Sequence, residues 1–223
     1  MIRIEKLNKI FNENRPNAYH ALHNINLHVK QGELFILKGI SGSGKSSLLS
    51  LMGGLSKPSS GLVQVNGHNI AKLPDLHASH FRSKTLGFIF QSFNLFEELS
   101  VFDNVAVALL NQKISMQQLE KQCINAMKHA NIYHKRDQEV RTLSGGEKQR
   151  CTIARALVNE PLIILCDEPT ANLDRTHSQQ FLKVLLELHR LGKTIVVATH
   201  DPIFDTLEQA HIVTIDSGTI TPS

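Results

Sequence analysis

Three cysteines, Cys123, Cys151 and Cys166, are odd in number and scattered without a CxxC pair. That excludes a disulfide framework and a zinc site of ribbon type, and it fits a reducing compartment. Glycine (13) and proline (7) together make up less than a tenth of the 223 residues, so low-complexity linkers are excluded too. The longest apolar runs, such as Leu162 to Cys166 and Thr194 to Ala198, have strand length; a membrane span needs roughly 18 apolar residues. The opening residues MIRIEKLNKI alternate charge with apolarity, so neither an integral membrane protein nor a Sec-exported one is expected. No segment repeats with a period of about 20–50 residues, which removes solenoids and propellers.

What is present is ordinary for a globular chain: 41% hydrophobic and 20% charged residues. A chain of this length buries one sizeable core, with room for an inserted lobe. The net charge of +4 suits an acidic partner, whether nucleotide, nucleic acid or anionic lipid, and is too small to choose among them. The twelve histidines carry no role unless context gives one.

Short β-type segments open the chain at Met1–Leu7, Leu22–Val29 and Glu33–Lys38, and Gly61–Ile70 reads as a hairpin around Asn66-Gly67. Leu86–Phe90 is a further strand. From about 92 to 142 the texture becomes helical. Ser100 with Asp103 caps a helix over Val101–Leu110, and Ser115 with Gln118 opens a second that runs to about Ala130. Beyond Pro161 the chain alternates strand, helix and strand: Leu162–Cys166, Arg175–Leu191 closed by Gly192, Thr194–Thr199, a short helix, then His211–Asp216. Fully apolar strands alternating with helices imply a covered parallel sheet. The fold class is therefore α/β with a mostly parallel core sheet, preceded by an antiparallel β subdomain and interrupted by an inserted α-helical one. On this division 1–223 is one domain, with 1–91 and 143–223 as its body and about 92–142 as the lobe.

The residues Gly39-Ile40-Ser41-Gly42-Ser43-Gly44-Lys45-Ser46 match G-x-x-x-x-G-K-[ST], directly after a strand and before apolar residues at helical spacing. Glycines there let successive backbone N–H groups turn inward as an anion nest, and the following helix adds positive charge at its N-terminus. Lys45 can reach the β- and γ-phosphates of a nucleoside triphosphate, and the Ser46 hydroxyl can ligate Mg²⁺. Ser47 continues the turn. A dinucleotide-binding loop is excluded, because Lys45-Ser46 stands where that fingerprint would continue.

A second element points the same way. Leu162–Cys166 ends in Asp167-Glu168, and ligands of parallel sheets gather at the carboxyl ends of strands. Asp167 is thus a candidate to hold Mg²⁺ and Glu168 a candidate general base for the attacking water.

Leu143-Ser144-Gly145-Gly146-Glu147 is the most informative stretch. Ser144 and Glu147 form a capping box that starts a helix running through Ile153, Ala154 and Leu157. Yet two glycines in its first turn cost about 1 kcal/mol each relative to alanine. That cost makes sense where bare N–H groups must approach an anion closely, which makes this a second phosphate site on one chain.

With these motifs in this order, the sequence resembles the P-loop NTPases that power ABC transporters, over essentially its whole length. The remaining family elements are a glutamine at a strand end (Gln91), Ala171-Asn172-Leu173-Asp174 as D-loop and His200-Asp201 as switch region. The resemblance implies an ATPase that works as a head-to-tail homodimer sandwiching two ATP molecules. Each ATP would lie between Gly39 to Ser47 of one copy and Leu143, Ser144, Gly145, Gly146 and Glu147 of the other. It further implies that Gln91 contacts Mg²⁺ and the attacking water, that His200 contacts the γ-phosphate, and that Asp174 couples the two sites. An aromatic residue stacks on adenine in this family. Phe11 holds the matching position, where tyrosine is more usual, and Tyr19 is a rival nearby.

Arg82, Leu86-Gly87-Phe88-Ile89-Phe90-Gln91-Ser92-Phe93-Asn94-Leu95, Gly53-Gly54-Leu55 and Asp103-Asn104-Val105 resemble the group containing LolD, MacB and FtsE, although related importers share parts of these motifs. That resemblance implies a peripheral protein on the cytoplasmic side of the inner membrane, energising a separate integral permease in lipoprotein release, macrolide or peptide export, or similar mechanotransmission. The alternative is FtsE-like regulation through a membrane partner without transport. Phe93, Leu95, Phe96 and Leu99 are candidates for a permease-docking groove, or equally for lobe core. No nucleic acid is implied. DNA-maintenance ATPases with the same motifs place long coiled coils between them, whereas Lys45 and Ser144 lie only 99 positions apart. Soluble ribosome-binding relatives carry two such domains in one chain.

Overall fold

The computed structural model describes residues 1–221, so the last two positions of the 1–223 unit lie outside it. Two sheets organise the molecule. Strands β1 (Ile2–Phe11), β2 (Tyr19–Val29), β4 (Ser60–Val65) and β5 (His68–Asn69) form an antiparallel sheet in the order β2-β1-β4-β5. Asn66 and Gly67, both at positive φ, make the tight turn between β4 and β5. The second sheet holds β3 (Leu34–Lys38), β6 (Leu86–Ile89), β7 (Ile163–Asp167), β8 (Thr194–Thr199), β9 (His211–Asp216) and β10 (Thr219–Thr221), in the order β10-β9-β3-β8-β7-β6. Every pairing in it is parallel except β9 with β10.

Alternation along the central strands divides the interior in two. Leu34, Ile36, Ile164, Cys166, Ile195 and Val197 face one core, shared with helices α3 (Val101–Ala106), α4 (Met116–His129), α5 (Gly145–Leu157) and α6 (Arg175–Arg190). Phe35, Leu37, Ile163, Leu165, Val196 and Ala198 face the other, shared with helix α1 (Lys45–Met52) and the antiparallel sheet. Both faces are covered, which is why these strands read as continuous apolar runs. Burial pushes the Cys151 thiol up to about 12 and the Cys123 thiol to about 11; Cys166 rises further, inside the sheet. All three are free, buried packing residues.

Two elements were not legible beforehand. Helix α2 (Asp75–Thr85) has only Ala78 and Thr85 buried, so no apolar stripe announced it. Strand β10 follows a two-residue turn at Ser217-Gly218, both at positive φ. The segment expected as one helix over Val101–Leu110 is α3 followed by a 3₁₀ turn at Val107–Leu109.

Candidate functional site

Parallel register brings the ends of four strands to one edge. Lys38 of β3 pairs with Thr199 of β8, Asp167 of β7 pairs with Ala198, and β6 ends beside β7 at Ile89. The chain leaves β3 through the glycine loop into α1. Gly44 sits at φ +108, and a Cβ there would lie 2.9 Å from the Ala21 carbonyl oxygen; a larger residue would be excluded twice over. At Gly39 the obstacle is distance alone, since a Cβ would come within 2.3 Å of the Ile215 carbonyl oxygen. The N-cap of α1 is Gly44, with no capping side chain and no acidic residue in the first turn. Its N–H groups and its dipole are therefore left for an anion from outside the helix. The buried Ser43 hydroxyl likewise has no partner among the described residues.

A cavity of about 300 Å³ opens over this turn. Its lining joins Ser41, Gly42, Gly44, Lys45, Ser46 and Ser47 with Gln91, Glu168 and His200, which come from four separate stretches of chain. Tyr19 also lines it. Phe11 pairs with Tyr19 across β1 and β2 but lies outside the lining, with Lys9 Nζ 4.8 Å from the centre of its ring.

Within the cavity the charged groups satisfy one another. Lys45 is 4% exposed and Glu168 8%, so each would carry a large desolvation cost alone. The Lys45 ammonium donates to the carbonyls of Gly39 (2.8 Å) and Ile40 (3.0 Å) and stands 3.3 Å from Glu168. Glu168 accepts from the Thr199 hydroxyl (3.0 Å) and the His200 backbone N–H (3.2 Å), and pairs with His200 Nδ1 at 2.9 Å. Burial pushes the Glu168 carboxyl up, yet the bonds from His200 and Thr199 and the charge of Lys45 outweigh it and hold the group below the usual range. Its backbone lies at φ +43, a strained setting for a side chain of this size, and its own N–H donates to the Ala198 carbonyl. Neighbouring Asp167 behaves oppositely. Burial raises it, the charge of Glu168 adds to the rise, and a 2.8 Å bond from the Ser46 hydroxyl opposes it. Ser46 Oγ and Asp167 Oδ1 are hard oxygen donors in mutual contact, with Gln91 on the same cavity. This small set fits a cation such as Mg²⁺, which takes one or two protein oxygens and completes its shell with phosphate and water.

The remaining motif residues form a separate surface. Ser144 caps α5, and the capping box with Glu147 is complete: Ser144 Oγ accepts from Glu147 N–H (3.4 Å), while Glu147 accepts from Ser144 N–H (2.9 Å). The bond from the Ser144 backbone lowers the Glu147 carboxyl despite some burial. Asp174 caps α6 and is held below the carboxylate range by the His177 backbone N–H and then by its ring. Ser144, Gly145 and Asp174 are exposed. Gly145 and Gly146 occupy their positions for different reasons. A Cβ at Gly145 would meet nothing nearer than the Asn172 carbonyl oxygen at 3.6 Å, whereas one at Gly146 would land 2.0 Å from the His177 ring. Approach to an anion is thus a sufficient account of Gly145 alone; Gly146 has a cause inside the chain that its neighbours in sequence did not disclose.

Contacts tie this surface to the cavity. Asn172 donates to the Gln91 carbonyl (2.8 Å), and buried Gln149 of α5 donates to the Pro169 carbonyl (2.8 Å). Arg155 of α5 donates to the carbonyls of Phe93 (2.7 Å) and Asn94. Thr199 and Arg155 were not singled out from the sequence, and Asn172 was named only as part of the D-loop, without this contact. Only Thr199 left a signal there, as a hydroxyl at the buried end of an apolar strand that must find an acceptor. Of the four docking candidates, Leu95 is half-buried and packs against the core shared with the lobe, the second of the two places open to it. Phe93 is half-buried, while Phe96 and Leu99 are exposed.

Residues 22–171 match the family described as ABC transporter. The chain belongs to that family. Solved relatives agree over the whole length. The dimeric post-hydrolysis structure of the ATP-binding cassette MJ0796 bound to ADP and Pi is 33% identical, with a TM-score of 0.89, covering 100% of this chain and 97% of that one. Among curated relatives, the lipoprotein-releasing system ATP-binding protein LolD of Pseudoalteromonas translucida is 36% identical over 99% of this chain and 95% of its own length. The macrolide export protein MacB of Chlorobium luteolum is 39% identical, but this chain spans only 28% of it. The methionine import protein MetN of Histophilus somni reaches 41% identity over 90% of this chain and 58% of its own length. This ABC family member is an ATP-binding ATPase subunit of α/β fold, and its relatives include importers as well as exporters. No helix among its described residues is long and apolar enough to cross a membrane.

Proposed function

We propose that the chain hydrolyses ATP at a site completed by a second copy, and that the resulting dimerisation cycle drives an integral membrane permease. The observation that carries this reading is the division of anion-binding elements between two surfaces. The cavity over the phosphate loop is lined by the Lys45 ammonium, the bare helix N-terminus and the Glu168 carboxylate, and the α5 N-terminus stands outside it with Ser144 and Gly145 exposed.

In this reading ATP displaces the Lys45–Glu168 contact. Lys45 turns to the β- and γ-phosphates, the α1 N-terminus cradles them, and the Glu168 carboxylate, now freed of its ammonium partner, accepts a proton from the attacking water. Bound Mg²⁺ would supply charge neutralisation between the phosphates, and Ser46, Asp167 and Gln91 are the residues that would hold it. His200, already bonded to Glu168, orients that base and reaches the γ-phosphate. Ser144, Gly145 and Gly146 of the opposing copy bring a second helix N-terminus to the charge that spreads over the transferring group. Asp174 faces the same junction. Tyr19, on the cavity wall, is the better placed of the two adenine-stacking candidates.

The partner would be a permease of the mechanotransmitting kind served by LolD, MacB and FtsE, with this chain peripheral on the cytoplasmic face of the membrane. The LolD match over nearly both full lengths supports this group. Its docking surface would include exposed Phe96 and Leu99, near Gln91. The primary test is sizing by light scattering of Glu168→Gln with ATP. A dimer that reverts to monomer without nucleotide is expected; a species that stays monomeric at saturating ATP overturns the shared site. For the permease, Phe96→Asp should abolish stimulation of turnover by a co-reconstituted permease while sparing ATP binding; lost ATP binding would make Phe96 a packing residue.

A further inference from the structure

The two exposed helix starts, α5 and α6, are joined through one side chain. His177 occupies the third position of α6, and the helix cap Asp174 grips it twice: Oδ1 accepts the His177 backbone N–H at 2.9 Å and Oδ2 contacts ring Nδ1 at 2.8 Å. A carboxylate only accepts, so the ring hydrogen sits on Nδ1. The far edge of the ring lies against Gly146, closely enough that a Cβ built there would be 2.0 Å from Cδ2 and 2.5 Å from Nε2. Backbone and carboxylate together fix the ring, so it cannot swing aside without giving up the Asp174 bond. Gly145, one residue earlier, faces no such obstacle.

We propose that His177 is a positioning residue: held by Asp174, its ring is the platform on which the Ser144–Gly146 turn rests, setting the distance between that turn and the D-loop and requiring glycine at 146. The inference deepens the shared-site reading above and rests on it. If both segments address the opposing copy's nucleotide, a small shift between them misplaces donors at the transferring phosphate, and such misplacement costs rate more than ground-state binding.

A double-substitution cycle in the full chain tests this, read by steady-state ATP turnover and by thermal unfolding. Gly146→Ala is expected to lower kcat by about a hundredfold, the scale of losing a transition-state donor. His177→Ala should lower kcat about tenfold while leaving KM for ATP, set mainly by the chain's own phosphate loop, close to its starting value. Combining the two should return turnover to the level of His177→Ala alone, because the space needed by the new methyl group has been opened. Gly145→Ala should cost the same factor whether or not His177 is present. Equal cost of Gly146→Ala in both backgrounds overturns the proposal, as does wild-type kcat in His177→Ala. If Gly146→Ala does not fold, the double variant decides: folded and active supports the platform, unfolded overturns it. A failed cycle alongside an intact ATP-driven dimer of Glu168→Gln removes only the role of His177; absence of that dimer removes the shared site as well.

Discussion

The phosphate-loop cavity and the Ser144 turn are both helix N-termini built for anions, yet they differ in almost every other respect. The first is concave and its charges are buried and mutually neutralised: Lys45 is held against Glu168, and Glu168 is held by Thr199 and His200. The second is exposed at Ser144 and Gly145, and its charged group, Glu147, is taken up by a capping box that satisfies the helix itself and by Lys135 at 3.4 Å. A site that can be recognised from its own geometry thus lies beside one whose chemistry appears only when something is pressed against it. Under the proposed shared site, one chain carries two half-sites of unequal completeness, and the first is the one expected to bind ATP unaided.

Lys45→Ala should break this contrast most severely. It removes the phosphate cation and strands a buried carboxylate, so turnover should fall by at least about a thousandfold and single-chain ATP binding, followed by calorimetry, should fail with it. Glu168→Gln should lower turnover by about 10²- to 10³-fold, the scale of a lost general base, while ATP binding measured the same way persists. Smaller effects sharpen the picture. Tyr19→Ala should weaken ATP binding about tenfold if it supplies the adenine stack, and Phe11→Ala should leave the dissociation constant within about twofold; the reverse ranking would move the stack to β1. Ser144→Ala touches only the second half-site. It should lower stability by about 1 kcal/mol through the lost cap and depress turnover, with single-chain ATP affinity unchanged. The least effect concerns pH. The Glu168 carboxyl is depressed in the folded chain, so its contribution to stability is present at neutral pH and is lost as pH falls through its folded value. The difference in thermal midpoint between wild type and Glu168→Gln should accordingly shrink on acidification, measured without nucleotide.

Much of this was legible in advance because the signals are local. Strand β7 ending in Asp167-Glu168, the loop from Gly39 to Ser46, and the capping boxes at Ser115 and Ser144 each depend on residues within one turn or one strand. Helix α2 was missed because almost none of it is buried, so its sequence carries no period. The Thr199, Asn172 and Arg155 contacts were invisible for another reason: each spans 31 to 81 positions, and nothing at either end marks the other. The steric reason for glycine at 146 was hidden for the same cause, since His177 is thirty-one residues away on the next helix, α6.

Sequence by itself determined the phosphate loop, the carboxylate strand, the helix caps and the family, because hydrogen-bonding type and spacing along a short backbone segment decide those directly. Tertiary structure alone decided that Glu168 is locked to Lys45, that Tyr19 and not Phe11 lines the cavity, that Leu95 packs against the core, and that Gly146 abuts His177. These are facts about which side chains meet, and parallel strand register together with two-sided burial of the sheet fixes those meetings across distances that no local pattern records.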